Sequence, residues 1–186
     1  MNKIILASES EGRKELFTKY FGTQFETYPS NFIEKDYFHL PPQEMVHQLA
    51  QHKSATVALN FPDDFVFAFD TTISCENKNL GKPQNIEEAY LILQFLNQKI
   101  QTVWTGYSIQ YKDIQTSGTE CAELILSITE EEIQTYINTY PVTKFAGAYA
   151  IQKQDTNIIV KSGFIDTIIG APMHIVLDFL KVHQYY

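Results

Sequence analysis

Several short stretches of the chain place hydroxyls or charges where an apolar run breaks off. In "IILASESEGRKELF" the run stops at Ala7 and is followed by Ser8, Ser10, Gly12 and Arg13, before Leu16, Phe17, Tyr20 and Phe21 recur at helical spacing. A strand that hands over to a helix there would offer an anion free amides, the positive end of the helix dipole and a forked guanidinium. The plainer alternative is that Ser10 caps the helix and Arg13 is solvated. Asp70 closes the apolar run "FVFAFD". A carboxylate at the end of a buried strand is costly unless it is paired, hydrogen-bonded or bound to a metal, so Asp70 is a candidate base or ligand. Lys82 stands between Gly81 and Pro83 in "NLGKPQ", a tight turn that would present an ammonium to an anion. Glu34, after Phe32 and Ile33, could supply a second carboxylate, and Lys53 lies on a predicted helix, where its stem could snorkel over apolar neighbours.

Other chemistries find less support. His47 and His52 are five residues apart, about 140° around a helix, so one face cannot carry both to a metal. His39, His174 and His183 belong to no ligand pattern, and Cys75 and Cys121 stand alone, which suits neither zinc nor a disulfide framework. There is no nucleophile elbow, no GxxxxGK[ST] and no GxGxxG.

The elements that must hold these residues alternate along the chain. With 186 residues, 44% of them hydrophobic, there is material for one domain, 1–186, with room for two lobes. The spacing predicts a strand over Lys3 to Ala7, a helix over Ser10 to Phe21, a second strand in "QFETYPSN" and a helix in "PPQEMVHQLAQHKSATVAL" with Pro42 in its first turn. "FVFAFD" reads as a central strand covered on both faces. Asn85 with Glu88, and Thr129 with Glu132, have the spacing of capping boxes that open helices. "TVWTGYSIQY" reads as a long strand with "AELILSI" as its partner. "GAYAIQ" and "NIIVKSG" are strand-like, and "PMHIVLDFLKVH" is an amphipathic helix. The sum is an α/β fold with a mixed, twisted sheet, flanking helices and two lobes around a central cleft.

A formal net charge of −8 argues against a nucleic-acid polymer or an anionic membrane as partner. No apolar stretch approaches the roughly 20 residues of a spanning helix, and "MNKIILASES" lacks the pattern of a signal peptide, so a cytoplasmic protein is expected. Trp104, Tyr107 and Tyr111 are either an interface, which leaves a homodimer open, or one face of a strand.

Five segments, in order along the chain, resemble the Maf family of nucleotide pyrophosphatases: "ILASESEGRKELF", "FDTTI", "LGKPQNIEEAYLILQFL" with "VWTG" after it, "AGAYAIQ" and "IIGAP". The resemblance implies a Maf/inosine triphosphatase-like fold. It also implies a hydrolase that splits a nucleoside triphosphate between its α and β phosphates, giving monophosphate and pyrophosphate, with magnesium or manganese as cofactor. By the same resemblance Asp70 matches the catalytic aspartate and Glu34 its acidic partner in the metal site. Lys82 matches the phosphate-facing lysine, Ser8 and Arg13 the phosphate-binding serine and arginine, and Lys53 a lysine on the cleft wall. In the branch acting on dTTP and UTP three specificity positions read Arg, Thr and Gln; here they are Gly12, Thr71 and Gln152. A glutamine amide both donates to and accepts from a pyrimidine edge, so thymine and uracil nucleotides are expected over 7-methyl-GTP.

The chain departs from the family pattern at Glu11 and Gly12, where Pro and Arg are usual. It departs again at Lys144 and Phe145, which stand for Asp and Lys, and at Gln101, which stands for His. These changes favour an alternative, a nucleotide-binding regulator of the septum-inhibitor type with weakened chemistry.

Overall fold

A computed structural model describes residues 2–31, 37, 39–153 and 157–185. The sheet has the order β2-β1-β3-β5-β6-β7, with β4 paired to β3 off that path. Its strands are β1 (Ile4–Leu6), β2 (Glu26–Thr27), β3 (Phe65–Cys75), β4 (Lys78–Leu80), β5 (Ile100–Tyr111), β6 (Ile114–Ser127) and β7 (Asn157–Ser162). β1 runs parallel to β2 and β3, whereas β4 on β3 and β7 on β6 are antiparallel, so the α/β class and the mixed sheet are as expected. The helices are α1 (Glu11–Phe21), α2 (Pro42–Ala58), α3 (Ile86–Leu96), α4 (Glu130–Thr139), α5 (Ile165–Ile169) and α6 (Met173–Val182).

The chain divides into two compact units. The first holds Met1–Asp70, Thr105–Glu120 and Gly170–Tyr186, the second Thr71–Trp104 and Cys121–Ile169, so the boundaries fall inside β3, β5 and β6.

In the first unit Ile4 to Leu6 pair with Phe65 to Phe67, and every one of these residues is at most 2% exposed. Phe17 of α1 meets Phe21, Phe25, Phe67 and Phe69 at centroid distances of 5.4–6.1 Å, which ties the helix to β3. Burying one such ring contributes about 1.5–3 kcal/mol. α2 approaches β5 closely because residue 106 is glycine: a Cβ there would stand 2.1 Å from the Val46 carbonyl oxygen. Two fully buried hydroxyls, Ser54 of α2 and Ser108 of β5, complete the seam with a 2.7 Å hydrogen bond.

In the second unit α3 and α4 bury Leu93, Leu96, Ile133 and Tyr136 with Ile73, Val103, Leu124 and Leu126 of the strands. Thr129 and Glu132 form the full capping box: Thr129 Oγ1 accepts from the Glu132 amide at 3.3 Å, and the Glu132 carboxylate accepts from the Thr129 amide at 2.7 Å. The second expected box is half made. Asn85 Oδ1 accepts from the Glu88 amide, but the Glu88 carboxylate takes the Gln84 amide instead.

Several elements differ from expectation. "GAYAIQ" forms no strand; it holds a 3₁₀ turn at Ala146–Ala148, because Gly147 (φ +65°) and Ala148 (φ +66°) take left-handed backbone that a ladder cannot use. "QFETYPSN" pairs over only two residues, whereas β6 begins eight residues before "AELILSI", beyond the two-residue turn Lys112–Asp113. Trp104, Tyr107 and Tyr111 are half-buried in their own units: Trp104 Nε1 donates to Ser74 Oγ, Tyr107 lies against Gly118, and Tyr111 stacks on Phe65 at 4.0 Å.

Candidate functional site

The first unit assembles a connected set. β1 ends at Leu6 and the chain turns at once, with the Ser8 amide donating to the Leu6 carbonyl. Ser8 is buried, and its Oγ accepts from the Ser10 amide at 3.2 Å and from Arg13 Nη1 at 3.1 Å. Arg13 Nε donates to the Gly170 carbonyl at 2.8 Å, and the guanidinium carbon lies 6.0 Å from the Phe69 ring centroid. The guanidinium is therefore fixed by protein contacts rather than solvated. Ser10 occupies the N-cap position of α1 but its side chain makes no capping bond, so capping does not account for its hydroxyl. Glu11 is exposed and paired with Lys14 at 2.8 Å, which answers part of its charge, and Gly12 is half-buried.

Asp70 does not end its strand; β3 continues to Cys75, and Asp70 stands where the first unit gives way to the second. It is 8% exposed, and its Oδ1 receives a hydrogen bond from Lys53 Nζ at 2.5 Å. Lys53 is itself 9% exposed, so its ammonium turns inward instead of snorkelling. Both charges are withdrawn from water, and each makes the other tolerable. The close seat of α2 at Gly106 and the Ser54–Ser108 bond set where Lys53, the residue next to Ser54, meets the sheet.

The second unit holds Thr71, Lys82 and Gln152. Thr71 follows Asp70 in β3, so the two side chains leave opposite faces of the strand. Lys82 is exposed, and its ammonium has no partner among the described residues. Gly81 does not hold the turn by special backbone freedom, since it takes no left-handed φ and a Cβ there would meet open space. The turn is held by its Gly81 carbonyl, which accepts from the Gly147 amide at 3.0 Å, and by buried Pro83. Gln152 is half-buried in a turn whose backbone is anchored from behind: the Ala150 amide donates to Tyr136 Oη at 3.0 Å, and Tyr149 Oη donates to Gln101 Oε1 at 2.9 Å. Lys144 is exposed and Phe145 half-buried. Gln101 is fully buried and serves as a brace. Glu34 lies outside the described residues.

Burial pushes the Tyr149 phenol well above its ordinary value, so it remains a hydrogen-bond donor. Burial likewise raises the Cys75 thiol, which leaves it a poor nucleophile. The histidines are dispersed: His47 meets Ser117, His52 packs on Tyr37, His174 contacts Glu120 and His183 packs against Phe179. Among the described residues no three His, Cys, Asp or Glu side chains gather as a metal site.

The family model for Maf-like protein matches residues 3–183. The chain belongs to the Maf-like protein family. Its relatives include a dTTP/UTP pyrophosphatase of Moorella thermoacetica, 32% identical over 98% of this chain and 95% of the relative. A dTTP/UTP pyrophosphatase of Bacillus cereus is 36% identical over 97% and 95%, and one of Pyrococcus furiosus is 31% identical over 98% and 96%. Within this Maf-like chain the resembling segments fall at the β1–α1 junction, in β3, in the Lys82 turn with α3 and β5, in the 146–152 turn, and between α5 and α6.

Sequence reasoning missed the contacts that support the site. Tyr136 and Tyr149 read as helix and strand positions, Gln101 stands out only as a departure from the family's His, and Lys53 and Asp70, each named singly, pair across 17 residues with no local signal.

Proposed function

We propose that this chain hydrolyses nucleoside triphosphates between the α and β phosphates, with dTTP and UTP as substrates. The observation that carries the reading is the buried Lys53–Asp70 pair: a desolvated carboxylate hydrogen-bonded to a lysine amine, in the unit that also contains the Ser8–Arg13 cradle. Folding alone does not require such a pair, since well-packed apolar residues would serve stability as well or better. The names of its relatives agree with this substrate class.

In this reading Arg13, Ser8 and Ser10 bind phosphate oxygens at the start of α1, and Lys82 offers a further positive charge. Asp70 takes a proton from the attacking water as its oxygen bonds to the α phosphorus. The bond from that phosphorus to the bridging oxygen breaks, and pyrophosphate leaves with its charge stabilised by the cations. Gln152 and Thr71 recognise the pyrimidine.

The donors fit a hard cation. Asp70 is a buried carboxylate, an oxygen donor, and magnesium is usually held by one or two carboxylates and substrate phosphates. Asp70 and Glu34 would hold it, where it would supply positive charge to the reacting phosphate. No helix among the described residues is long and apolar enough to cross a membrane, in keeping with a cytoplasmic enzyme acting on free nucleotides.

The test is the product spectrum from dTTP, UTP, CTP, GTP and 7-methyl-GTP with magnesium or manganese. Monophosphate and pyrophosphate from dTTP or UTP support the reading. Release of orthophosphate, or a preference for 7-methyl-GTP, contradicts it. Binding without turnover would identify the regulatory alternative, for which Glu11, Gly12 and Phe145 are the features in favour.

A further inference from the structure

Residues 145–152 contain a turn, not a strand, so sheet bonding does not fix the segment that carries Gln152. Among the described residues, three hydrogen bonds tie it to residues outside its own turns. The Gly147 amide reaches the Gly81 carbonyl, the Ala150 amide reaches Tyr136 Oη, and Tyr149 Oη reaches Gln101 Oε1. The third joins two side chains inside an apolar cluster, with Tyr149 5% and Gln101 0% exposed. The orientation of the Gln101 amide follows from its surroundings. Its Nε2 faces the Leu96 carbonyl at 3.1 Å, which requires the NH₂ group there, so Oε1 faces Tyr149 and the phenol must donate.

An apolar pair would fill this place with little loss of stability, so the polar pair is better explained by direction than by strength. It fixes Tyr149 three residues before Gln152, whose own side chain has no hydrogen-bond partner among the described residues and so depends on the turn for its position. We propose that the Tyr149–Gln101 hydrogen bond makes Tyr149 a positioning residue for Gln152, and thereby sets discrimination for the pyrimidine base. This rests on the reading of Gln152 given above. It predicts an effect on substrate choice and affinity while chemistry at Asp70 is spared.

The experiment is a double-mutant cycle of Tyr149→Phe with Gln152→Ala, read by steady-state kinetics on UTP and CTP, which differ at the 4-position of the base. Tyr149→Phe should raise KM for UTP by about tenfold, leave kcat within about twofold and reduce the preference for UTP over CTP. In the Gln152→Ala background it should add nothing. The double variant Tyr149→Phe with Gln101→Leu removes both polar partners, so thermal stability should return towards that of the natural protein while KM stays raised. This pair also keeps the test valid if Tyr149→Phe alone folds poorly.

Effects that add in the Gln152→Ala background, a KM restored with stability in the apolar pair, or a loss confined to kcat would overturn the proposal and leave the proposed function standing. If Gln152→Ala itself leaves the UTP preference unchanged, the base-recognition reading falls and this inference falls with it.

Discussion

The candidate residues of the two units are held in opposite ways. In the first unit the side chains hold one another: Ser8 accepts from Arg13, Arg13 grips the Gly170 carbonyl, and Lys53 meets Asp70. In the second unit the side chains of Lys82 and Gln152 have no partners among the described residues, and their turns are fastened through the backbone and through residues behind them. The first arrangement preorganises charge, which reacting groups need at a fixed place before substrate arrives. The second leaves donors available to a ligand while fixing where they start. Stability and activity should therefore be coupled in the first unit and separable in the second.

The largest effect should come from breaking the coupled side. Lys53→Met leaves the Asp70 carboxylate buried without its ammonium, so unfolding in urea should show a loss of about 3 kcal/mol, accompanied by loss of turnover. A variant that kept full stability would show that the pair is not the shared support described here. Lys82→Ala should give the contrasting result: turnover falls by about 10²-fold, while stability stays within about 0.5 kcal/mol of the natural protein, as expected of an exposed residue without partners. A matching drop in melting temperature would erase the distinction between the units.

The smallest effect lies in the capping box of α4. The Thr129 amide and hydroxyl hold the Glu132 carboxyl below the ordinary glutamate range. A group whose folded value is depressed contributes stability above its unfolded value, about 4.3, and loses that contribution as the pH falls through the folded one. Relative to Glu132→Gln, the natural protein should be slightly more stable near pH 7, and the difference should vanish in thermal melts once the pH has fallen below the folded-state value.

What was legible in the sequence follows the same division. Local patterns could be read: the β1–α1 junction, the apolar β3 and the Thr129–Glu132 box all rest on neighbours within a few residues. The second unit's turn could not, because Ala-Tyr-Ala-Ile alternates like a strand and only the left-handed backbone at Gly147 and Ala148 separates the two outcomes. At Gly147 a Cβ would stand 2.4 Å from Ile73 Cδ1, a restriction imposed by tertiary packing that no nearby residue announces. The candidates Ser8 and Arg13 are legible from their place at the β1–α1 junction, whereas Asp70, which reads as the close of an apolar strand, lies inside β3. Lys53 reads from its neighbours as a stem that could snorkel and from the resemblance as a cleft-wall lysine; its pairing with Asp70 has no local signal, because the partner lies on a different element against which α2 is seated at Gly106.

The most direct measurement compares the natural protein with Asp70→Asn for pyrophosphate release from dTTP and UTP, together with thermal protection by the same nucleotides. The account predicts that turnover falls by about 10²–10⁴-fold while nucleotide still raises the melting temperature of the variant. Asp70→Asn turning over dTTP and UTP at the natural rate would contradict it, since the reaction would then not depend on the carboxylate at the centre of the buried pair.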